Sequence, residues 1–211
     1  MSARFELYGL FLSGPSYKVA LMLSLAHEPF AYHHMDLRAG AHKTDAFRAI
    51  SRYGQVPALV DTSNGMKLVQ SAVILDYLAD KTGKFGGATL AERYEAREWL
   101  FWEFERLAGN LYRPRAAKLG FRTFDPAVLD QYMSEGNAAL AHLETSLTGR
   151  DWLVGEGLTI ADIDLYGVVY YAPDGGYDLS AYPHVAAWKA RIEALPGYAA
   201  PQDLMPTQPQ A

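Results

Sequence analysis

Cysteine is absent from all 211 residues. That excludes structural disulfides, thiolate metal sites and any cysteine nucleophile. If the chemistry involves a thiol, the sulfur must belong to the ligand. Positive charge is also scarce. Nineteen Lys and Arg against 24 Asp and Glu give a net charge of −5, which argues against nucleic acid as a main partner. Long apolar runs are missing as well. The longest aliphatic stretch, Val19 to Ala26, is too short to span a bilayer, and no apolar segment follows the start around Arg4. The chain reads as a cytoplasmic protein with no membrane partner. Half of its residues are hydrophobic, so most of it is expected to fold, as one large domain or two small ones.

Six histidines are the remaining metal-ligand candidates. His33 and His34 lie on a strand-like run, where neighbouring side chains point to opposite faces. No His-x-x-x-His pair occurs on a helix. No metal is expected.

The order of elements is legible from periodicity and punctuation. Phe5 to Leu10 reads as a strand. Ser13-Gly14-Pro15-Ser16 is a turn into a helix carrying Val19, Met22, Leu23 and Ala26 at helical spacing. Phe30 to Leu37 reads as a second strand and Thr44 to Ile50 as a short helix. Ala58 to Asp61 and Met66 to Val69 are strands joined through Ser63-Asn64-Gly65. Ser71 to Lys81 is the next helix. This βαβ-α-ββα order is that of a thioredoxin-like domain over residues 1–81. A Gly-rich linker over 82–89 follows, then an all-helical domain over 90–211. Leu90 to Leu111 and Leu129 to Leu147 read as long helices. Thr159 and Asp162 form a capping box, with Leu158 stapled onto Ile163. Pro183 to Leu195 reads as the last helix, and the Pro/Gln-rich tail from Ala199 as loose.

Two motifs carry chemistry. In Gly54-Gln55-Val56-Pro57 a proline stands just before a strand, where its missing N–H is awkward. A cis Val56–Pro57 bond would turn the chain and leave the N–H and C=O of Val56 to pair with an extended peptide. The helix opening at Gln70-Ser71 offers N–H donors and a positive dipole end to a carboxylate. Most Val-Pro bonds are trans and most helix-start serines are plain caps, so neither motif is decisive alone. Together they suit a small, acidic, peptide-like ligand.

With these residues laid out, the chain resembles the cytosolic glutathione transferases, in their serine-type, theta-like or nu-like bacterial branches. The resemblance rests on Ser13-Gly14-Pro15-Ser16-Tyr17-Lys18-Val19, Gly54-Gln55-Val56-Pro57, Gln70-Ser71 with Ile74 and Tyr77-Leu78, Asp151-Trp152-Leu153-Val154-Gly155, and the Thr159/Asp162 box. It implies a homodimeric detoxification enzyme that joins the thiolate of glutathione, its co-substrate, to a small hydrophobic electrophile. A glutathione-dependent peroxidase or isomerase and a non-catalytic binding protein are the alternatives. It implies that Val56, beside Pro57, pairs with the cysteinyl part of glutathione and that Gln70 and Ser71 hold the γ-glutamyl carboxylate. His42, Lys43 and Gln55 would reach the glycyl carboxylate. Ser13 would hydrogen-bond the thiolate, with Tyr8 and then Ser16 as other donors; a helix cap is the plain alternative for Ser16. Tyr8, Phe104, Leu107, Tyr112 and Arg115 are candidates for an electrophile pocket between the domains. Relatives commonly have Asn where Pro15 stands and Asn-Pro where Ser51-Arg52 stands.

Overall fold

The computed structural model describes residues 3–207. Contacts divide the chain into two compact units. The first runs to Lys84 and is rejoined by the chain from Leu195; the second is Phe85–Ala194. Among the described residues no helix is long and apolar enough to cross a membrane.

The first unit has a thioredoxin-like core. Strands β1 (Phe5–Gly9), β2 (Phe30–His34), β3 (Ala58–Asp61) and β4 (Met66–Val69) form one sheet in the order β2-β1-β3-β4. β1 pairs parallel with β2 and antiparallel with β3, and β3 pairs antiparallel with β4. Helices α1 (Gly14–Leu25), α2 (Asp45–Arg48) and α3 (Ser71–Thr82) complete it. Alternation fixes the two faces of β1: Phe5 and Leu7 are fully buried, while Tyr8 points the other way and packs on Phe47 of α2. β2 is shorter than its sequence suggests. The Asp36 carboxylate accepts the N–H groups of Arg38 and Ala39, at 2.9 and 3.0 Å, and turns the chain out of the sheet.

Through residue 207 the tail is not loose; residues 208–211 lie outside the described residues. After Leu195 the chain lies along α1, and a short helix α10 (Pro201–Leu204) ends at the fully buried Met205. Tyr17 donates to the Ala199 carbonyl at 3.0 Å and Ser24 to the Gly197 carbonyl at 2.6 Å. Gly197, at φ 87°, is required there: a Cβ would meet the Ser24 carbonyl oxygen at 2.7 Å. Polar composition suggested disorder, but two hydroxyl bonds and one buried Met hold the segment.

The second unit is all-helical. α4 (Leu90–Trp102), a π-helical segment (Glu103–Ala108) and α5 (Gly109–Lys118) follow without a break. α6 (Pro126–Ser146), α7 (Ile160–Val169), α8 (Ala172–Gly175) and α9 (Pro183–Glu193) complete it. α6 starts before Leu129 because Asp125 caps it and Pro126 opens it. Pro114 lies inside α5 and has no N–H for the carbonyl of Asn110. The Tyr177 hydroxyl donates to that carbonyl at 2.7 Å instead, so the helix continues.

Asp61 locks the β3–β4 hairpin. Its buried carboxylate accepts from Arg4 at 2.9 Å, from the Ser63 N–H and hydroxyl at 3.0 and 2.5 Å, and from Tyr77 at 2.8 Å. Burial pushes its pKa up, but the bonds from Arg4, Ser63 and Tyr77 outweigh burial and hold it below the usual range. A depressed folded-state pKa contributes stability above the unfolded value, about 3.9, and loses it as pH falls through the folded one. The stability gap between the native chain and Asp61→Asn is therefore expected to be full at neutral pH and to shrink below about pH 4. Urea midpoints on both sides of that pH check it; a constant gap would contradict the assignment.

Candidate functional site

Strand register brings three segments to one end of the sheet. Ala58, the first residue of β3, lies opposite Tyr8 of β1 and Val69 of β4. Val56 and Pro57 therefore enter β3 beside the chain leaving β1 toward Ser13 and the chain leaving β4 toward Gln70-Ser71. Beneath them Met35, Phe47, Ala58 and Val69 form a small buried floor, with Ala41 and Val56 packed on it.

The Val56–Pro57 peptide is cis, as the sequence suggested. Neither main-chain polar group of Val56 has a partner among the described residues. The loop before it is pinned by Ser51, whose buried hydroxyl accepts from the Gln55 N–H at 3.1 Å and donates to the Gln55 carbonyl at 2.8 Å. Ser51 thus does the turn-making work at the position where relatives commonly have Asn. Gly54, at φ 59°, lets this loop close on the 3₁₀ turn Ala41–Lys43; a Cβ there would meet the His42 carbonyl oxygen at 3.0 Å. His42, Lys43 and Gln55 are so brought together. The Nδ1 atom of His42 is shielded and has no hydrogen-bond partner among the described residues. Lys43 and Gln55 are exposed.

Gln70 is the N-cap of α3 and adopts φ 73°, ψ 115°. This is a conformation that side chains other than glycine rarely take, and such strain gathers at ligand sites. Its side chain makes no capping bond, and the first helical bond runs from the Ile74 N–H to the Gln70 carbonyl at 3.0 Å. The N–H groups of Ser71, Ala72 and Val73 therefore lack an intrahelical acceptor and present an anion-binding end.

Ser13 caps α1. Its Oγ accepts the Ser16 N–H at 3.2 Å, which leaves its own hydrogen free to donate. Ser16 is neither the cap nor an alternative donor at the site. It is fully buried, and its Oγ accepts the Leu10 N–H at 3.3 Å. Pro15 sits in the first turn, where a missing N–H is tolerated. The Ser13 N–H goes to the Leu10 carbonyl, the Ser16 N–H to Ser13 Oγ and the Tyr17 N–H to the Ser13 carbonyl. The Gly14 N–H and the Ser13 hydroxyl are what this turn can offer a ligand.

The other predicted residues are committed elsewhere. The Tyr8 hydroxyl donates to Glu6 at 3.1 Å and its ring stacks on His33 at 4.5 Å; burial first, then the Glu6 bond, raises its pKa. In the helical unit Leu107 is fully buried. The Arg115 guanidinium pairs with Asp174 at 3.0 Å and lies 4.0 Å over the Tyr171 ring. Tyr112 donates to the Gly167 carbonyl at 3.3 Å, whereas Phe104 is 74% exposed. Sequence reasoning missed Ser51 and Gly14, because a buried turn hydroxyl and a main-chain donor leave no pattern of their own.

Comparison with known proteins gives consistent matches over both units. The model of the glutathione S-transferase N-terminal domain matches residues 3–80, and that of the C-terminal domain matches residues 111–196. The disulfide-bond oxidoreductase YfcG of Escherichia coli K12 is 31% identical over 185 residues, covering 85% of this chain and 86% of that protein. Mouse glutathione S-transferase theta-1 is 31% identical over 202 residues, covering 91% and 83%. A crystal structure described as a possible glutathione S-transferase from Rhodopseudomonas palustris superimposes with a TM-score of 0.87 at 36% identity, covering 94% of this chain and 98% of its own.

Proposed function

Because the chain belongs to the glutathione S-transferase family, we propose that it binds glutathione along Val56 and joins its thiolate to a small hydrophobic electrophile. The convergence of Val56, Ser71 and Ser13 at one end of the sheet carries this reading. The unpaired N–H and C=O of Val56 suit the cysteinyl amide. The α3 N-terminus and the Ser71 hydroxyl suit the γ-glutamyl carboxylate, with Gln70 beside it. Lys43, His42 and Gln55 suit the glycyl carboxylate. The sulfur then lies toward the Ser13 hydroxyl and the Gly14 N–H.

A free thiol with a pKa near 8.5 is only about 3% thiolate at pH 7, and the thiolate is the nucleophile. Lowering the pKa by two units needs about 2.7 kcal/mol of preference for the anion. One charge-assisted hydrogen bond of roughly 1.5–3 kcal/mol and a helix end of up to about 1 kcal/mol suffice. In the reaction the thiol proton leaves to solvent, the sulfur lone pair forms the bond to carbon, and the leaving group departs with its electron pair. For the electrophile, the exposed Phe104 is the favoured contact, since Leu107, Tyr112 and Arg115 are held within the helical unit. A homodimer is part of the same reading. It is supported by an exposed apolar row on α4 formed by Leu90, Tyr94 and Phe101.

Ser71→Ala is expected to weaken glutathione binding by roughly 1–3 kcal/mol, the cost of leaving a carboxylate partly unpaired. Calorimetry showing unchanged affinity would remove Ser71 from the site. A second reaction, thiol–disulfide exchange, is favoured by the similarity to YfcG. In a chain without cysteine the attacking thiolate and both sulfurs of the disulfide, one of which leaves as thiolate, must come from ligands. Turnover of chlorodinitrobenzene compared with that of hydroxyethyl disulfide separates the two.

A further inference from the structure

The helical unit holds a cavity of about 310 Å³ between the π-helical segment with its flanking helices and α6. That is the size of a small-ligand site. One wall is aromatic. The rings of Trp102 and His142 lie 5.1 Å apart, and Trp99 packs against both, at 5.2 and 6.0 Å. Ala139 gives an apolar floor. Beside the Arg106 guanidinium the lining offers two acceptors, Asn110 and Glu135. Asn110, only 7% exposed, donates its amide to the Arg106 carbonyl at 2.7 Å, which leaves its Oδ1 to accept. Glu135 receives one neutral donor, Gln131, at 2.9 Å, and among the described residues no cation pairs with it. Arg106 already lies 3.3 Å from Glu105. The one guanidinium of the lining is thus paired with a carboxylate outside it, while Glu135 is the one carboxylate of the lining.

We propose that this cavity binds an aromatic primary ammonium compound. Its ring would lie against Trp102 and His142, and its N–H groups would donate to Glu135 and the Oδ1 of Asn110. Aromatic faces attract cations, Trp most strongly, and a carboxylate without a paired cation adds to that attraction. The cavity is roughly a third of a turn around the helix from the apolar row of Leu90, Tyr94 and Phe101. It shares no residue with the thiol site, so the proposal stands independently of the reaction assigned there.

The test uses the full chain and three probes of one shape: protonated 2-phenylethylamine, neutral 2-phenylethanol and anionic 3-phenylpropionate. Calorimetry should show the amine binding at least about tenfold more tightly than the other two. Glu135→Gln, an exposed and isosteric change, should weaken the amine by about tenfold, and Arg106→Gln should tighten it. Saturating glutathione should leave the amine affinity unchanged. Equal binding of the anion, indifference to Glu135→Gln, competition with glutathione, or no binding at millimolar amine would each overturn the proposal. So would an amine affinity that falls as protein concentration rises, because a second copy of the chain would then be the occupant.

Discussion

Asp162→Ala is expected to destabilise the helical unit by about 4 kcal/mol, the largest effect of any single substitution considered for this chain. The Asp162 side chain is fully buried and ties three parts of the unit together. Its Oδ1 accepts the Leu153 N–H and the Trp188 indole N–H, both at 2.9 Å. Its Oδ2 accepts the Thr159 N–H at 2.9 Å and the Thr159 hydroxyl at 3.1 Å. Burial pushes the carboxyl pKa up, and the four bonds oppose that rise. Truncation would leave three N–H donors buried and unpaired, at about 1–3 kcal/mol each. In a chain of 211 residues unfolding as one, 4 kcal/mol corresponds to a fall of roughly 8–16 °C in Tm. Asp162→Asn keeps one acceptor oxygen but turns an amide toward the Thr159 N–H, so an intermediate loss of roughly 2–3 kcal/mol is expected. Thermal unfolding of both variants checks this. A loss below 1 kcal/mol for Asp162→Ala would mean that the carboxylate is replaceable by water.

Asp162 also marks the boundary of what the sequence discloses. Its bond back to Thr159 is local, three residues apart, and so was readable as a capping pattern. Its bonds to Leu153 and Trp188 join segments that only the fold brings together. The same division runs through the chain. The hairpin around Asn64-Gly65, the cis Val56–Pro57 bond and the helix start at Ser71 follow from local turn chemistry and were legible. The helix running through Pro114 was not, because the hydroxyl that replaces its lost donor comes from Tyr177, far along the chain. Nor was the docked tail, whose polar composition is overruled by bonds to Tyr17 and Ser24. At the site, Ser13 and Ser16 were both plausible hydroxyls in one turn. Their roles are set by which of them lies under β1, and only packing decides that.

Ser13→Ala is expected to raise the thiol pKa of bound glutathione by one to two units, about 1.4–2.7 kcal/mol. From a midpoint near 6.5 the thiolate fraction at pH 7 would fall by roughly three- to twenty-five-fold, and conjugation with it. The geometry separates this role from capping. Ser13 Oγ accepts from the Ser16 N–H, so its lone pair serves the helix and its proton remains for the sulfur. Alanine removes both functions and is expected to cost about 1 kcal/mol of stability as well. Glycine at an N-cap costs only a few tenths of a kcal/mol, so Ser13→Gly should give the same pKa rise with little loss of stability. Ser13→Thr keeps the hydroxyl and should move the midpoint little. Ultraviolet titration of bound glutathione, following thiolate absorbance against pH, reads the midpoint directly. Tyr8 is the rival donor, but its hydroxyl is already bonded to Glu6 and its ring is stacked on His33, so Tyr8→Phe should leave the midpoint in place. If Ser13→Gly leaves the midpoint alone and Tyr8→Phe raises it, Ser13 is only a helix cap and the thiol is activated from the other face of β1. If neither substitution matters and no thiolate forms near neutral pH, the chain binds glutathione without activating it.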